Sequence, residues 1–356
     1  MSRPKQRLLP FFLPMLGCPH RCVFCDQRAI SGQASAPGAE EVRRALDSFP
    51  PDPEAELAYY GGSFTCLPRA EQEAWLKLAA PYIEGGVIGG VRVSTRPDAV
   101  DDDICAFLRE HGVTTVELGV QSFDDGVLRR SGRGCTGESA RDACAAVRRA
   151  GLRLGVQLMT GLPGDGPALA LSSMEQALAA GAELLRIYPT LVIEGTELAR
   201  LYAAGKYAPQ SLEEAVRLCA DMLEMADKAG VPVQRLGLNP GPELERSLIA
   251  GPYHPAFGGL VREGLRLAQA RALLGDCDPN LPAVLAFPSR ETPLVVGQKR
   301  AGARALAREY PRLALTPDGA LAPGTLVWRQ NGKQGSLTEE AYCRERRDAL
   351  AKEDEE

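Results

Sequence analysis

The sequence predicts an α/β fold on a parallel sheet, followed by a smaller α+β appendage. Three observations predict it. Short apolar runs alternate with amphipathic helical stretches through the first two-thirds of the 356 residues, as in consecutive βα units. Most helical stretches stop near a glycine, such as Gly112, Gly151, Gly181 or Gly230, where a left-handed C-terminal cap is expected. Beyond Asn239 the alternation gives way to turns and short strands.

Along the chain the expected strands are Leu9–Leu16, Glu56–Tyr60, Val87–Ser94, Thr115–Gly119, Arg153–Met159 and Leu184–Tyr188. The expected helices are Glu40–Ser48, Arg69–Ala80, Asp102–Glu110, Ser139–Ala150 and Leu169–Ala179. Val231-Pro232-Val233 is also rich in β-branched residues. Six βα units make an open or partial barrel or a doubly wound sheet, and periodicity alone does not separate them. In either, chemistry gathers at the C-terminal ends of the strands. Asn239-Pro240-Gly241-Pro242 and Gly251-Pro252 then mark turns. A helix near Pro255–Leu274 and strands near Ala283–Phe287, Leu313–Thr316 and Thr325–Arg329 form the appendage. The expected bounds are 1–238 for the barrel, 239–338 for the appendage and 339–356 for a charged tail.

Hydrophobic residues make up 45% of the chain, ample for a large core, and a net charge of −5 does not advertise nucleic-acid binding. No apolar run reaches the ~20 residues of a membrane span. The apolar stretch Leu8–Leu16 is broken by Pro10 and Pro14 and reads as a buried strand, so a cytoplasmic protein without membrane contact is expected. Seven of the ten cysteines are scattered (Cys66, Cys105, Cys135, Cys144, Cys219, Cys277 and Cys343) and read as small buried residues or free thiols.

The other three form a motif. Gly17-Cys18-Pro19-His20-Arg21-Cys22-Val23-Phe24-Cys25 spaces three thiols as C-x3-C-x2-C on a loop after the first strand. Thiolates are the usual ligands of iron–sulfur clusters. Three close cysteines can hold three corners of a 4Fe–4S cube and leave the fourth iron open to an outside ligand. The alternative is zinc on the three thiolates plus His20, although the flanking spacing is not that of a zinc finger.

With Phe24 before the third cysteine, this stretch resembles the signature of the radical S-adenosylmethionine (SAM) superfamily. The resemblance implies a partial (β/α)6 TIM-like barrel and a 4Fe–4S cluster on Cys18, Cys22 and Cys25. It also implies that S-adenosyl-L-methionine is cleaved reductively to methionine and a 5′-deoxyadenosyl radical, with a flavodoxin or ferredoxin as electron donor. The Gly61-Gly62 pair after the second strand stands where the superfamily binds the methionine ammonium, and Ser63 supplies an oxygen beside it. Ser94 ends the third strand. Glu117 interrupts an apolar strand, which is costly unless the carboxylate is paired, so it is expected to face the barrel interior. Gln121 and Ser122 follow at the barrel mouth. Arg133 has the fork to pair with the carboxylate of SAM; a surface ion pair is its plainer role. Gln157 is placed to reach the ribose, and the backbone from Gly161 to Gly164 the adenine. Tyr188 either packs or faces the substrate.

Ser94–Asp98, Glu117–Ser122, Gly132–Gly134, Gln157–Gly164 and Arg186–Thr196 resemble a narrower group, the radical SAM half of the Elongator catalytic subunit and its short bacterial relatives. This similarity runs from about Leu9 to Leu236 and implies a tRNA base as substrate. Basic residues Arg3, Lys5 and Arg7, and Lys299, Arg300, Arg304 and Arg308, would meet its phosphates. There are two departures. Cys135 stands where relatives show His, and the phosphate-cradling loop of the Elongator acetyltransferase domain is not found; Gln298-Lys299-Arg300-Ala301-Gly302 has a different spacing. Two other readings stay open: a porphyrinogen-type oxidase acting on a small molecule, and a metal-bearing interaction module without turnover.

Overall fold

The computed structural model describes residues 7–13, 16–18, 22–32 and 35–342. Arg3, Lys5, His20 and Cys343, and the tail from 343 on, lie outside the described residues. By its contacts the chain divides into two units, Met1–Leu212 with Val231–Pro255, and Glu213–Gly230 with Ala256–Glu356.

The first unit holds β1 (Leu8–Phe12), β2 (Asp52–Tyr60), β3 (Ile88–Thr95), β4 (Val113–Gln121), β5 (Arg153–Thr160), β6 (Leu184–Pro189), β7 (Val192–Ile193), β8 (Val233–Leu236) and β9 (Leu248–Ala250). Seven of these pair in parallel in the order β1-β2-β3-β4-β5-β6-β8. All six expected strands are present, and the β-branched stretch at Val231–Val233 leads into the seventh. The first is shorter than expected. It stops at Phe12, where Leu13 N donates to Tyr60 O at 2.7 Å and Leu16 N turns back to Leu13 O at 3.2 Å.

Val91, Val93, Val116, Leu118, Leu154, Val156, Leu158 and Ile187 are buried in the strands, as expected of a parallel sheet covered by helices. The helix Gly137–Arg149 buries Ala140, Ala143, Cys144 and Val147, small enough for close approach to the sheet. Helix starts are capped by side chains: Asp101 accepts from Ile104 N at 2.8 Å and Asp124 from Val127 N at 2.7 Å, while Thr136 and Ser139 form a capping box.

The sheet curls into a half-barrel, and side chains that meet across its concave face show this. Tyr60 on β2 touches Arg186 on β6, and Arg92 on β3 donates to Gln234 Oε1 at the start of β8 at 2.8 Å. In a flat sheet each pair would lie four strands apart, about 19 Å. The concave face is charged. Arg92 is fully buried and bridges two carboxylates: Nε donates to Glu56 Oε2 at 2.7 Å and Nη1 to Glu117 Oε1 at 2.7 Å. Thr114 and Thr115 each donate to Glu56 Oε1 at 2.6 Å. The second Glu117 oxygen lies 3.0 Å from Arg186 Nε. The carboxylates hold Arg92 charged against the opposing effect of burial.

In the second unit, β10 (Ala283–Pro288), β11 (Leu313–Asp318), β12 (Thr325–Gln330) and β13 (Lys333–Thr338) form a mixed sheet in the order β11-β10-β12-β13. Helices Leu212–Lys228 and Phe257–Leu274 accompany it. Buried Arg266 pairs with Glu339 at 2.6 Å and Glu291 at 3.3 Å. This division differs from the bounds expected at 238 and 338. Residues 239–255 group with the barrel, because β9 pairs with β7 and Leu244 packs on Leu191 and Ile193. Glu339 belongs with the second sheet rather than with a tail, since it neutralises Arg266.

Removing one partner of a buried ion chain strands the others. Arg92→Leu is therefore expected to cost about 3–5 kcal/mol in urea unfolding. Arg149→Ala breaks an exposed pair with Asp102 and is expected to cost less than about 1 kcal/mol.

Candidate functional site

The loop after β1 carries Cys18, Cys22 and Cys25 to the C-terminal end of the sheet and is locked there by backbone. Gly17 has φ +72°, open to glycine but rarely to other residues. A Cβ on Gly17 would stand 2.3 Å from Ser63 O, and one on Gly62 would stand 2.1 Å from Leu16 O. The cysteine loop and the Gly61-Gly62 turn after β2 thus interlock, joined by Ser63 N donating to Leu16 O at 2.8 Å. Further along, Val23 N donates to Ser131 O at 3.0 Å, and Val23 O accepts from Leu198 N at 2.7 Å.

Two guanidinium groups face this loop. Arg133 Nη1 lies 3.4 Å from Cys22 Sγ, and Arg96 Nη1 lies 4.0 Å from the same sulfur. Arg96 is braced by Asp98 through two hydrogen bonds, of 2.9 and 3.0 Å, and donates to Arg133 O. Arg133 also donates to Gly119 O, while its Nε is buried without a partner among the described residues. Burial and the charges of Cys22 and Cys18 push the Cys25 thiol up to about 12. Burial and Cys22 raise Cys18 too, against the opposing pull of Arg133 and Arg96. The three thiols therefore sense one another, with positive charge supplied beside them. Among the described residues no three His, Cys, Asp or Glu side chains converge as ligands of a single metal ion.

The other expected contacts divide into two sets. Gln121 ends β4, Ser94 precedes the last residue of β3, and Gln157 lies within β5, where its Nε2 donates to Gln121 Oε1 at 3.0 Å. Gln121 sits at a bulge with φ +71°, an uncommon backbone for a side-chain-bearing residue. Gly119 makes room there, since a Cβ on it would lie 2.9 Å from Gln121 Nε2 and 3.1 Å from Arg133 Nη2. Arg133 joins this corner to the thiol loop, since it reaches both Gly119 O and Cys22 Sγ, and the Gly61-Gly62 turn adjoins the loop through Ser63 N.

Ser63, Glu117 and Gly161 have partners within the protein, and Glu117 is paired inside the barrel as its place in an apolar strand required. Ser63 is fully buried; its hydroxyl lies 3.0 Å from Thr95 Oγ1, donates to Cys66 Sγ at 3.2 Å and accepts from Arg96 N at 3.3 Å. It braces the turn. Glu117 anchors the ion chain and also accepts from Tyr60 OH at 3.2 Å. Gly161 N donates to Asp165 Oδ2 at 2.9 Å, and its carbonyl accepts from Tyr207 OH at 2.6 Å. Sequence reasoning missed Arg92, Glu56 and Arg96. The signal for Arg92 was a charge between Val91 and Val93 in a strand, the same signal that marked Glu117.

Gly62→Ala is expected to lower stability by about 3 kcal/mol in urea unfolding, because Leu16 O must move. Gly38→Ala, in open space, is expected to change it by less than about 1 kcal/mol.

The chain matches the Radical SAM superfamily over residues 12–170 and the Radical SAM C-terminal domain over residues 182–266. It is 29% identical to the tRNA uridine(34) acetyltransferase of Dehalococcoides mccartyi, over 58% of this chain and 53% of that protein. It is 25% identical to protein YhcC of Escherichia coli K12, over 58% of this chain and 70% of the relative. Among solved structures, archaeal Elp3 from Methanocaldococcus infernus with an N-terminal deletion superposes with a TM-score of 0.59 at 19% identity, covering 74% of this chain and 63% of that one. The chain thus spans about half the length of the acetyltransferase it matches. The parallel half-barrel, with its cysteine loop at the end of β1, and the two adjoining family matches agree: the chain belongs to the radical SAM superfamily, enzymes that use a 4Fe–4S cluster and S-adenosylmethionine.

Proposed function

We propose that this chain holds a 4Fe–4S cluster on Cys18, Cys22 and Cys25, cleaves S-adenosylmethionine reductively, and acts on a base of tRNA. The observation that carries the reading is the thiol loop with two guanidinium groups at Cys22 Sγ, at 3.4 and 4.0 Å. A cluster ligated by three thiolates is an anion. Buried Arg133, with an unpartnered Nε, fits such a neighbour and would be costly beside neutral thiols. When bound, the cluster and SAM supply a carbon-centred radical able to abstract hydrogen, given one electron from a donor such as a flavodoxin or ferredoxin.

The chain's own residues bind and orient. Cys18, Cys22 and Cys25 must lose their protons to ligate; Arg96 and Arg133 favour the thiolate of Cys18, against burial. Arg133 is also suited to a carboxylate of SAM. The half-buried Gln157 and the Gln121 amide offer donors and acceptors to ribose hydroxyls, and the Gly61-Gly62 turn leaves room for a close ligand. Likeness to the tRNA uridine(34) acetyltransferase supports tRNA as substrate, and with it a cytoplasmic setting. Lys299, Arg300, Arg304 and Arg308 are all exposed and suited to phosphate contacts. Among the described residues no helix is long and apolar enough to cross a membrane.

The test is anaerobic reconstitution with iron and sulfide, then dithionite and SAM. The expected result is 5′-deoxyadenosine from the intact protein and none from Cys22→Ala. A fully loaded protein that never cleaves SAM contradicts the reading. Transfer RNA is expected to bind at low salt and to release as salt rises; no binding at low salt removes the tRNA part alone.

A further inference from the structure

We propose that Arg186, Arg235 and Tyr188 form a subsite inside the barrel for an oxyanion of the substrate, a phosphate or a carboxylate. The subsite deepens the reading above and rests on it for the identity of the reaction.

Arg186 and Arg235 are register partners on the adjacent strands β6 and β8. Like charges directly opposite in a sheet repel, so a pair kept there needs a counter-charge. The concave face does not supply enough. Glu56 is committed to Arg92, Thr114 and Thr115. Glu117 is shared by Arg92, Arg186 and Tyr60. Two carboxylates thus face three guanidinium groups. Arg235 donates from Nε to Gly237 O at 3.0 Å and has no carboxylate partner among the described residues. Burial, and then Arg186, lower its pKa, while Tyr188 acts in the other direction. That is the behaviour of a half-buried cation short of an anion.

The geometry suits a ligand rather than a closed core. Arg186 keeps 16% of its side-chain exposure, and Arg235 and Tyr188 are half-buried. Arg186 is held in place from behind: its guanidinium lies over the Tyr60 ring, 4.3 Å from the centroid, and donates to Tyr60 OH. Its Nη1 is 3.5 Å from Tyr188 OH. Two guanidinium forks and a phenol hydroxyl are a donor set for a tetrahedral or planar oxyanion. The position separates this site from the thiols. The cysteine loop follows β1, at one edge of the seven-stranded sheet, and Arg235 lies on β8, at the other. A substrate anchored at β6 and β8 by its oxyanion would extend across the barrel towards the thiol end.

The test uses the full chain, purified without air, with inorganic phosphate and malonate as probes, each exchanged against chloride at constant ionic strength. Calorimetry is expected to show saturable binding of at least one anion, and the tighter one indicates whether the substrate presents phosphate or carboxylate. Arg235→Gln is expected to bind it about tenfold more weakly, a loss of about 1.4 kcal/mol, with Arg235→Lys keeping part of the affinity. Without anions, Arg235→Gln is expected to be at least as stable as the parent, because it relieves the repulsion with Arg186; a merely structural arginine would destabilise on removal. No saturable binding of either anion, equal binding by Arg235→Gln, or a destabilised Arg235→Gln each overturns the subsite. SAM cleavage by the parent protein is measured on the same preparation. Arg235-dependent anion binding without cleavage leaves the subsite standing and sinks the radical reading; cleavage without anion binding does the reverse.

Discussion

The structure depends on one close approach of backbone to backbone. The loop with three thiols lies so near the turn after β2 that neither Gly17 nor Gly62 has room for a side-chain carbon. Parallel strands bring their C-terminal ends to one side, and this interlock ties the thiol loop to that side. Ser63 completes it from below, with its hydroxyl divided among Thr95, Cys66 and the backbone of Arg96. The arginines that face Cys22 follow from the same arrangement, since Arg96 continues from β3 and Arg133 reaches back to Gly119 on β4.

Beneath the mouth, the concave face is held by charge rather than by apolar packing. Arg92 between Glu56 and Glu117, and Glu117 between Arg92 and Arg186, connect β2, β3, β4 and β6. A buried ion chain is a poor source of net stability, because each charge gives up its hydration. Its value lies in geometry: directional partners on four strands fix how the sheet curls. The cost also makes the chain's imbalance informative, since an interior with more guanidinium than carboxylate favours an anionic guest.

Much of this was legible in the sequence. The six apolar runs became six strands because each is short and set apart from the next by a helical stretch, with Gly112, Gly151 and Gly181 marking the turns into β4, β5 and β6, a strictly local signal. The cysteine spacing was legible for the same reason. The charge at Glu117 marked the barrel interior correctly, but its partners were not legible: Arg92, Arg186 and Tyr60 converge only when the sheet curls, and no local pattern encodes that curvature. Ser63 and Gly161 were expected to face a ligand on account of their place after a strand. Their hydrogen bonds to distant Thr95 and Tyr207 give both a structural part as well, and such long-range partners leave no trace in spacing. The limit of the first unit also lay beyond local reading, because the pairing of β7 with β9 carries residues past the turn at Asn239 back to the barrel.

The most direct test of the account is electron paramagnetic resonance of the anaerobically reconstituted, reduced protein, recorded before and after addition of SAM. The account predicts the signal of a single 4Fe–4S cluster whose g values shift when SAM arrives, as an iron with an exchangeable coordination site would give. A signal indifferent to SAM, or thiols filled by zinc with no such signal at all, would contradict it.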